Sequence, residues 1–238
     1  MRISSKKRKI GYTYGSVSGR YPFRKQKSIT FESLLEKDFL IFCDFNTSVE
    51  DIIEQPLTIE YMNKKGKDTK YTPDFLVSFK HIRSNKIYTD CKYENSELKT
   101  KSLLVEIKPY EKLKKQFHIY KERFKIASNY AQENDMEFRI FTERNIYGDY
   151  FDNIMLIKRH EKSNYPQDDV ERVFEYIEYM GSVTIDQVLV RLFFTKEAKG
   201  IGLGLIYNML FNKYILTNFT EPITMFSELF VNDEREEF

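Results

Sequence analysis

Two acids and one lysine on neighbouring apolar runs are the residues of this chain best suited to chemistry. Glu106 and Lys108 stand at alternate positions of the run Leu103–Lys108, so on a strand both point to the same side. Asp74 directly follows Pro73 and opens a second run of aromatic and β-branched residues. Buried charges of this kind are costly unless they find partners or a metal ion. The pattern therefore predicts an oxygen-ligated cation beside a positive charge, which suits metal-assisted hydrolysis of a phosphodiester.

A sheet and two helices are the elements that must hold these residues together. Apolar residues at spacings of three and four predict helices over 28–45 and 111–134. On the first helix, Glu36 lies at the margin of the apolar stripe and can face the sheet. Strands are predicted at Leu57–Tyr61, at the Asp74 and Glu106 runs and at Phe138–Phe141, with Asn63–Lys67 as a hairpin connection and 81–101 as an extended hairpin or loop.

Motif stretches follow one another in a fixed order along this part of the chain. They are Phe31–Phe39, Glu54–Pro56 with Ile59–Tyr61, Tyr71–Val77, Leu104–Pro109 and Phe141–Arg144. As an ordered set they resemble the TnsA endonucleases, the subunits of heteromeric cut-and-paste bacterial transposases that cut the 5′ ends of the element. The resemblance covers about Ser28 to Arg144, whereas Pro-Asp or Glu-x-Lys alone occurs by chance in many chains. It implies an α/β, restriction-endonuclease-like αβββαβ core.

The resemblance also implies roles for individual residues. Glu36, Asp74 and Glu106 would hold Mg²⁺, and the backbone carbonyl of Ile107 would complete the metal shell. Lys108 would orient or stabilise the attacking hydroxide. We expect two ions in the site, with Mn²⁺ as a substitute for Mg²⁺. The implied partners are transposon-end DNA, a DDE transposase subunit (TnsB) and an AAA ATPase regulator (TnsC).

Three alternatives remain open from the sequence. In a purely structural interpretation, Asp74 caps a turn and Glu106 pairs with Lys108 on one sheet face, but this would not explain the ordered motifs around them. A stand-alone restriction-type nuclease would use the same fold and would cut both strands of a defined sequence by itself. A catalytically inactive DNA-binding scaffold is the third, and the intact set of acids and lysine disfavours it.

The first 27 residues concentrate positive charge. The chain as a whole has a net charge of +2, yet this segment contains no acid, so the remainder is net acidic. Tyrosines, phenylalanines and glycines alternate with the basic residues, which favours a basic arm that lies along DNA phosphates; a solvated tail is the alternative. The predicted DNA-binding residues are Lys6, Lys7, Arg8, Lys9, Arg20, Arg24, Lys25 and Lys27.

A second domain is predicted over 165–238, after the endonuclease domain at 28–160. Helices are expected around 170–177, 185–193 and 201–211, followed by a small hairpin of 214–219 and 223–226. Three helices and a hairpin indicate a mainly helical, winged-helix-like domain. The glycines at 200, 202 and 204 follow no strand, so they favour close helix packing over nucleotide binding. Acids near the C-terminus favour protein contact over DNA contact.

Composition excludes several other classes of protein. The apolar runs fall short of the ~20 residues of a membrane-spanning helix, and the basic start has no apolar region of a signal peptide after it. We therefore expect a cytoplasmic protein, and the resemblance implies that it is bacterial and associated with DNA. Two cysteines and three histidines, none at ligand spacing from another, exclude a disulfide framework and a zinc site.

Overall fold

The computed structural model describes residues 2–4, 17–80 and 102–233. Two compact units divide between Tyr147 and Gly148. The segment 81–101, predicted as a hairpin or loop, lies outside the described residues, as do Lys6, Lys7, Arg8 and Lys9. Among the residues described, no helix has the length and apolar character needed to cross a membrane.

The first unit contains nine strands and three helices within the described ranges. In chain order they are β1 (Arg2–Ser4), β2 (Gly19–Phe23), β3 (Lys27–Phe31), α1 (Leu34–Phe45), β4 (Val49–Glu54), β5 (Thr58–Met62), β6 (Asp68–Tyr71), β7 (Phe75–Phe79), β8 (Ser102–Ile107), α2 (Tyr110–Glu133), β9 (Glu137–Phe141) and α3 (Glu143–Ile146).

A four-stranded sheet in the order β4-β7-β8-β9 is the core of this unit. The β4–β7 and β7–β8 pairs are antiparallel, and β8–β9 is parallel. Residues 103–107 of β8 are all buried, as expected for a central strand covered on both faces. Phe39 of α1 lies against Phe75 and Phe141, with ring centroids 5.7 and 5.0 Å away. Helix α1, three sheet strands, α2 and β9 make a restriction-endonuclease-like α/β fold.

The first strand of this core differs from the sequence prediction. The predicted strand at Leu57–Tyr61 exists as β5, but it pairs with β1 and β6 in a separate sheet. Its expected place in the core is taken by β4, which pairs with β7. The Val49–Glu54 segment has acids at three of its six positions, which hides the strand pattern. The hairpin connection at Asn63–Lys67 leads to β6, and Asp74 follows only after β6.

Helix α1 begins later than the sequence predicted. Its N-terminal cap is Ser33, whose hydroxyl accepts a hydrogen bond from the Glu36 N–H. Residues 27–31 form β3 instead, in an antiparallel hairpin with β2. The hairpin turn contains Arg24 and Lys25, both with positive φ. Turns of this kind are usually marked by glycine or asparagine, and neither residue is present here, so the hairpin could not be recognised from the sequence.

The second unit contains four helices and three strands among its described residues. They are α4 (Asp149–Lys158), α5 (Gln167–Met180), β10 (Val183–Thr184), α6 (Ile185–Leu192), α7 (Lys196–Phe211), β11 (Ile215–Leu216) and β12 (Glu228–Val231). The strands lie in the order β10-β12-β11, with antiparallel pairs. Thr184 caps α6 in a capping box with Gln187.

The small hairpin of this unit differs from the expected one. Strand β11 pairs with β12 at Glu228–Val231 and not with residues 223–226. The 224–227 segment is a turn, in which the Ser227 N–H donates to the Thr224 carbonyl. Two of the three glycines of α7 pack closely, as predicted: a Cβ at Gly202 would lie 2.6 Å from the Phe193 ring, and one at Gly204 would lie 2.5 Å from the Tyr165 hydroxyl. At Gly200 the prediction is wrong, because a Cβ there would meet nothing within 4 Å.

Candidate active site

Asp74 lies between β6 and β7, where its backbone is fixed on both sides. Its N–H donates to the Val105 carbonyl at 3.0 Å, and its carbonyl accepts from the Gln55 N–H at 2.8 Å. Its side-chain Oδ2 accepts from the Ile107 N–H at 2.7 Å. Pro73 has no N–H to donate, so the hydrogen bonding between strands is interrupted at this residue. The carboxylate of Asp74 is therefore held against the end of β8.

Glu106 is a buried carboxylate on the central strand, only 3% exposed. Its Oε1 lies 2.8 Å from the Lys108 Nζ, and its Oε2 accepts a hydrogen bond of 2.7 Å from the Tyr71 hydroxyl. Both oxygens thus have partners, which is what burial of a charged group requires. These two contacts fix the rotation of the carboxylate.

Lys108 gathers oxygen atoms around its ammonium group. Besides Glu106, its Nζ donates to the Ile107 carbonyl at 2.9 Å and lies 3.5 Å from Oδ2 of Asp74. The Lys108 N–H donates to the Phe141 carbonyl of β9 at 3.0 Å, which anchors the residue just past the end of β8. Three of the predicted ligand oxygens therefore converge on a single positive charge.

Glu36 is placed differently from the other three predicted residues. Its Oε2 accepts from the Glu32 N–H at 2.7 Å, and its Oε1 accepts from the Ser33 hydroxyl at 3.0 Å. Together with the Ser33 hydroxyl that caps α1, this forms a reciprocal capping arrangement. Glu36 is nevertheless close enough for the charge of Lys108 to act on its pKa.

Burial and mutual repulsion dominate the electrostatics of the site. Burial, followed by the neighbouring charge of Glu106, raises the pKa of Asp74 to about 8. Burial also raises the pKa of Glu36. Burial by itself lowers the pKa of Lys108, but the charges of Asp74 and Glu106 outweigh it and raise that pKa, so the lysine stays protonated. Three carboxyl groups beside one ammonium leave an excess of negative charge.

This donor set has the chemistry of a hard-cation site. Carboxylate and carbonyl oxygens are the ligands that Mg²⁺ prefers, and a cation would offset the negative charge of Glu106, which together with burial raises the pKa of Asp74. Across the described ranges, no group of three or more His, Cys, Asp or Glu side chains is already arranged to hold a metal ion. The reason is geometric: Lys108 binds the oxygens of Asp74 and Glu106, while Glu36 is bonded to the start of its own helix.

Sequence reasoning missed two residues that support the site. Tyr71 fixes Glu106, and Gln55 binds Asp74 through its backbone and Glu32 through its side chain at 2.8 Å. Gln55 also has a positive φ of 44°, a backbone conformation that is unfavourable for most side chains. The need for a donor such as Tyr71 could have been inferred from the sequence. A buried glutamate has two oxygens that require partners, and Lys108 can bind only one of them.

The described basic residues of the N-terminal segment are only partly available to DNA. The Arg24 guanidinium donates to the carbonyls of Asn46 and Val49, and Lys27 pairs with Asp51 at 2.9 Å. Arg20 and Lys25 are exposed. Contacts from this segment to DNA stay a prediction.

A mixed α/β unit that brings Pro-Asp and Glu-x-Lys together at the ends of two paired strands fits the restriction-endonuclease-like class of fold. Residues 46–143 match the sequence model of a family described as TnsA-like endonuclease N terminal, so this part of the chain is similar to the TnsA endonucleases. The match includes Asp74, Glu106 and Lys108; Glu36 lies before it and the second unit after it. A comparison with curated proteins gives no match.

Proposed function

We propose that this protein is the Mg²⁺-dependent DNA endonuclease of a cut-and-paste transposon. It hydrolyses phosphodiesters at the 5′ ends of the element, together with a DDE transposase subunit (TnsB) and under an AAA ATPase regulator (TnsC). The observation that carries the proposal is the convergence of Asp74 Oδ2, Glu106 Oε1 and the Ile107 carbonyl oxygen around Lys108 Nζ. The family match supports the nuclease assignment.

The metal would be held by Asp74, Glu106 and the Ile107 carbonyl, the oxygens that now surround Lys108. Glu36 becomes available as a further ligand once it gives up its bonds to Glu32 and Ser33, and two ions could then be held. Bound Mg²⁺ or Mn²⁺ supplies Lewis-acid polarisation of the phosphate and a water molecule of lowered pKa.

The residues of the chain itself orient the groups around this chemistry. Protonated Lys108 donates hydrogen bonds and stabilises negative charge on the attacking hydroxide or on the phosphate oxygens. The Ile107 N–H keeps Asp74 in place, and the Tyr71 hydroxyl keeps Glu106 in one rotation. In the hydrolysis, the water oxygen forms a new bond to phosphorus while one P–O ester bond breaks.

We assign the second unit, as a winged-helix-like domain, to contacts with the other transposition proteins. Helices α5, α6 and α7 with a three-stranded sheet support this assignment. Large apolar side chains at its surface also support protein contact, since Phe194 and Phe226 are 88% and 81% exposed. Acids near the C-terminus were predicted from the sequence to favour protein contact. Those at positions 234, 236 and 237 lie outside the described residues. A cytoplasmic, DNA-associated location in a bacterium accompanies this function.

The partner dependence of cleavage tests the proposal. Purified protein is incubated in Mg²⁺ with end-labelled DNA that carries the transposon end, with and without a DDE transposase that binds that end. The proposal expects slow cutting alone and a large increase of 5′-end nicking when the transposase is added, with Asp74→Asn inactive in both reactions. Double-strand cutting of a defined short sequence at full rate by the protein alone would support a restriction-type nuclease instead. No cutting under either condition would indicate an inactive scaffold.

A further inference from the structure

We propose that the exposed side of α2 binds the phosphate backbone of duplex DNA next to the cleavage site. The proposal rests on the proposed nuclease function and adds a DNA-binding surface that the sequence did not indicate. The residues concerned are Lys114, Lys121 and Lys125, which we call the α2 basic stripe.

Helical geometry places the three lysines on one side of α2. At 100° per residue, Lys114, Lys121 and Lys125 fall within about 40° of one another around the helix axis. All three are exposed. The buried residues Tyr120 and Phe124 lie about 60–140° away from the three lysines around the helix axis and pack toward the sheet. The stripe therefore faces solvent along its whole length.

The topology brings one end of the stripe to the active site. Strands β8 and β9 are parallel, so α2 must begin at the edge where β8 ends and return toward the start of β9. Tyr110, the first residue of α2, is only two residues after Lys108. From Lys114 to Lys125 the stripe extends over about 16 Å, which corresponds to roughly five base pairs of a DNA duplex.

Further positive charges lie near the two ends of the α2 basic stripe, one at the start of α2 and the other near the middle of the helix. At the start of α2, the guanidinium of exposed Arg144 lies 3.3 Å from the ring centroid of Tyr110. Along the middle of the helix, the Lys64 N–H donates to Glu122 Oε1 at 2.8 Å, which holds the β5–β6 turn against α2. That turn carries three exposed lysines, at positions 64, 65 and 67.

Charge complementarity identifies the occupant as nucleic acid. Residues 110–125 contain six Lys or Arg and two acids, and one of those acids, Glu122, is already bound by the Lys64 N–H. Exposed lysines that follow one helix face suit a row of phosphates, where each contact releases condensed counterions. A nuclease site at one end of such a surface needs the flanking duplex to lie beside it.

The test is the salt dependence of DNA binding by the full chain. Binding of short duplex DNA is measured in Ca²⁺ for the wild type and for the triple variant Lys114→Gln, Lys121→Gln, Lys125→Gln. We expect the magnitude of the slope of log K against log salt to decrease by about 2 to 3 in the triple variant, since each phosphate contact contributes about 0.9. The matched control is Lys80→Gln, Lys162→Gln, Lys196→Gln, which removes the same charge from exposed positions outside α2 and should leave the slope unchanged.

A second measurement is independent of the variants. Duplex DNA should protect the lysines at 114, 121 and 125 of the wild type from amine acetylation, as read by mass spectrometry, while Lys162 stays reactive. An unchanged slope in the α2 variant, or equal acetylation with and without DNA, would overturn the α2 surface. If the wild type binds and cuts DNA in those same assays, the proposed function survives that failure. A wild type that neither binds nor cuts DNA would contradict both.

Discussion

The Tyr71 hydroxyl donates a hydrogen bond of 2.7 Å to Oε2 of Glu106, although 35 residues separate the two in the chain. The bond occupies the oxygen that Lys108 does not reach, and both side chains are buried. Tyr71 therefore positions a carboxylate of the candidate metal site without being one of its ligands.

Replacement of Tyr71 by phenylalanine should weaken the site. Removal of a hydrogen bond to a buried charged group costs about 1.5–3 kcal/mol, so we expect a lower melting temperature and a cleavage rate reduced by about tenfold or more. The loss should be larger at low Mg²⁺ than at saturating Mg²⁺, because Glu106 is then less well oriented to bind. Metal titrations of cleavage and of thermal stability measure both effects.

The control for this variant is Tyr61→Phe, a tyrosine of the neighbouring strand β5 that is only half-buried. It should change neither the metal dependence nor the cleavage rate. Equal behaviour of the two variants would show that Tyr71 contributes only to packing.

Lys108→Ala should separate metal binding from catalysis. The variant removes the positive charge that now binds Asp74, Glu106 and the Ile107 carbonyl, so the site becomes more negative. Ca²⁺ should therefore stabilise the variant more strongly than it stabilises the wild type. Cleavage in Mg²⁺ should fall by at least about 100-fold, the effect of removing one electrostatic stabiliser. Thermal-shift titration and a nicking assay give the two readouts, with Lys112→Ala as an exposed control. Weaker Ca²⁺ binding by Lys108→Ala would contradict the proposed ligand set.

Glu36 and Ser33 should have separable effects, because Glu36 serves as a cap as well as a candidate ligand. Glu36→Gln keeps one oxygen that can accept from the Glu32 N–H, and its amide NH2 can donate to the Ser33 hydroxyl oxygen, so the free energy of unfolding should change little while Mg²⁺-dependent cleavage falls. Ser33→Ala removes the N-cap of α1 and should cost about 1 kcal/mol of stability with cleavage largely kept. Chemical denaturation and nicking assays on both variants test this. Full activity of Glu36→Gln would remove Glu36 from the metal site.

The stability of the metal-free protein should depend on pH through Asp74. The pKa of Asp74 is raised from 3.8 to about 8 in the folded protein, so between these values the folded state keeps a proton that the unfolded state has lost. The free energy of unfolding should therefore fall as pH rises from about 4 to 8. Asp74→Asn should flatten this dependence, as denaturation with a metal chelator at several pH values would reveal. An equal slope in the variant would place the buried proton elsewhere.

The sequence predicted the strands of the candidate site better than the elements around them. Asp74, Glu106 and Lys108 lie in short local motifs, so their spacing alone indicated that they share a site, and the structure brings all three together. The capping role of Glu36 was missed because the start of α1 was predicted too early. Strand β4 was missed because its acids hide the strand pattern, and β2–β3 because Arg24 and Lys25 form its turn. In these cases tertiary contacts, such as Arg24 with Val49, determine the local structure.

The most direct test of the central claim is the metal dependence of 5′-end cleavage by the wild type and by Asp74→Ala. Both proteins are assembled with the transposase on labelled transposon-end DNA in Mg²⁺, Mn²⁺ or Ca²⁺. The wild type should nick in Mg²⁺ and Mn²⁺ and bind without cutting in Ca²⁺, whereas Asp74→Ala should bind DNA nearly as well and cut in none of them. Undiminished nicking by Asp74→Ala in Mg²⁺ would contradict the assignment of this site as the nuclease active site.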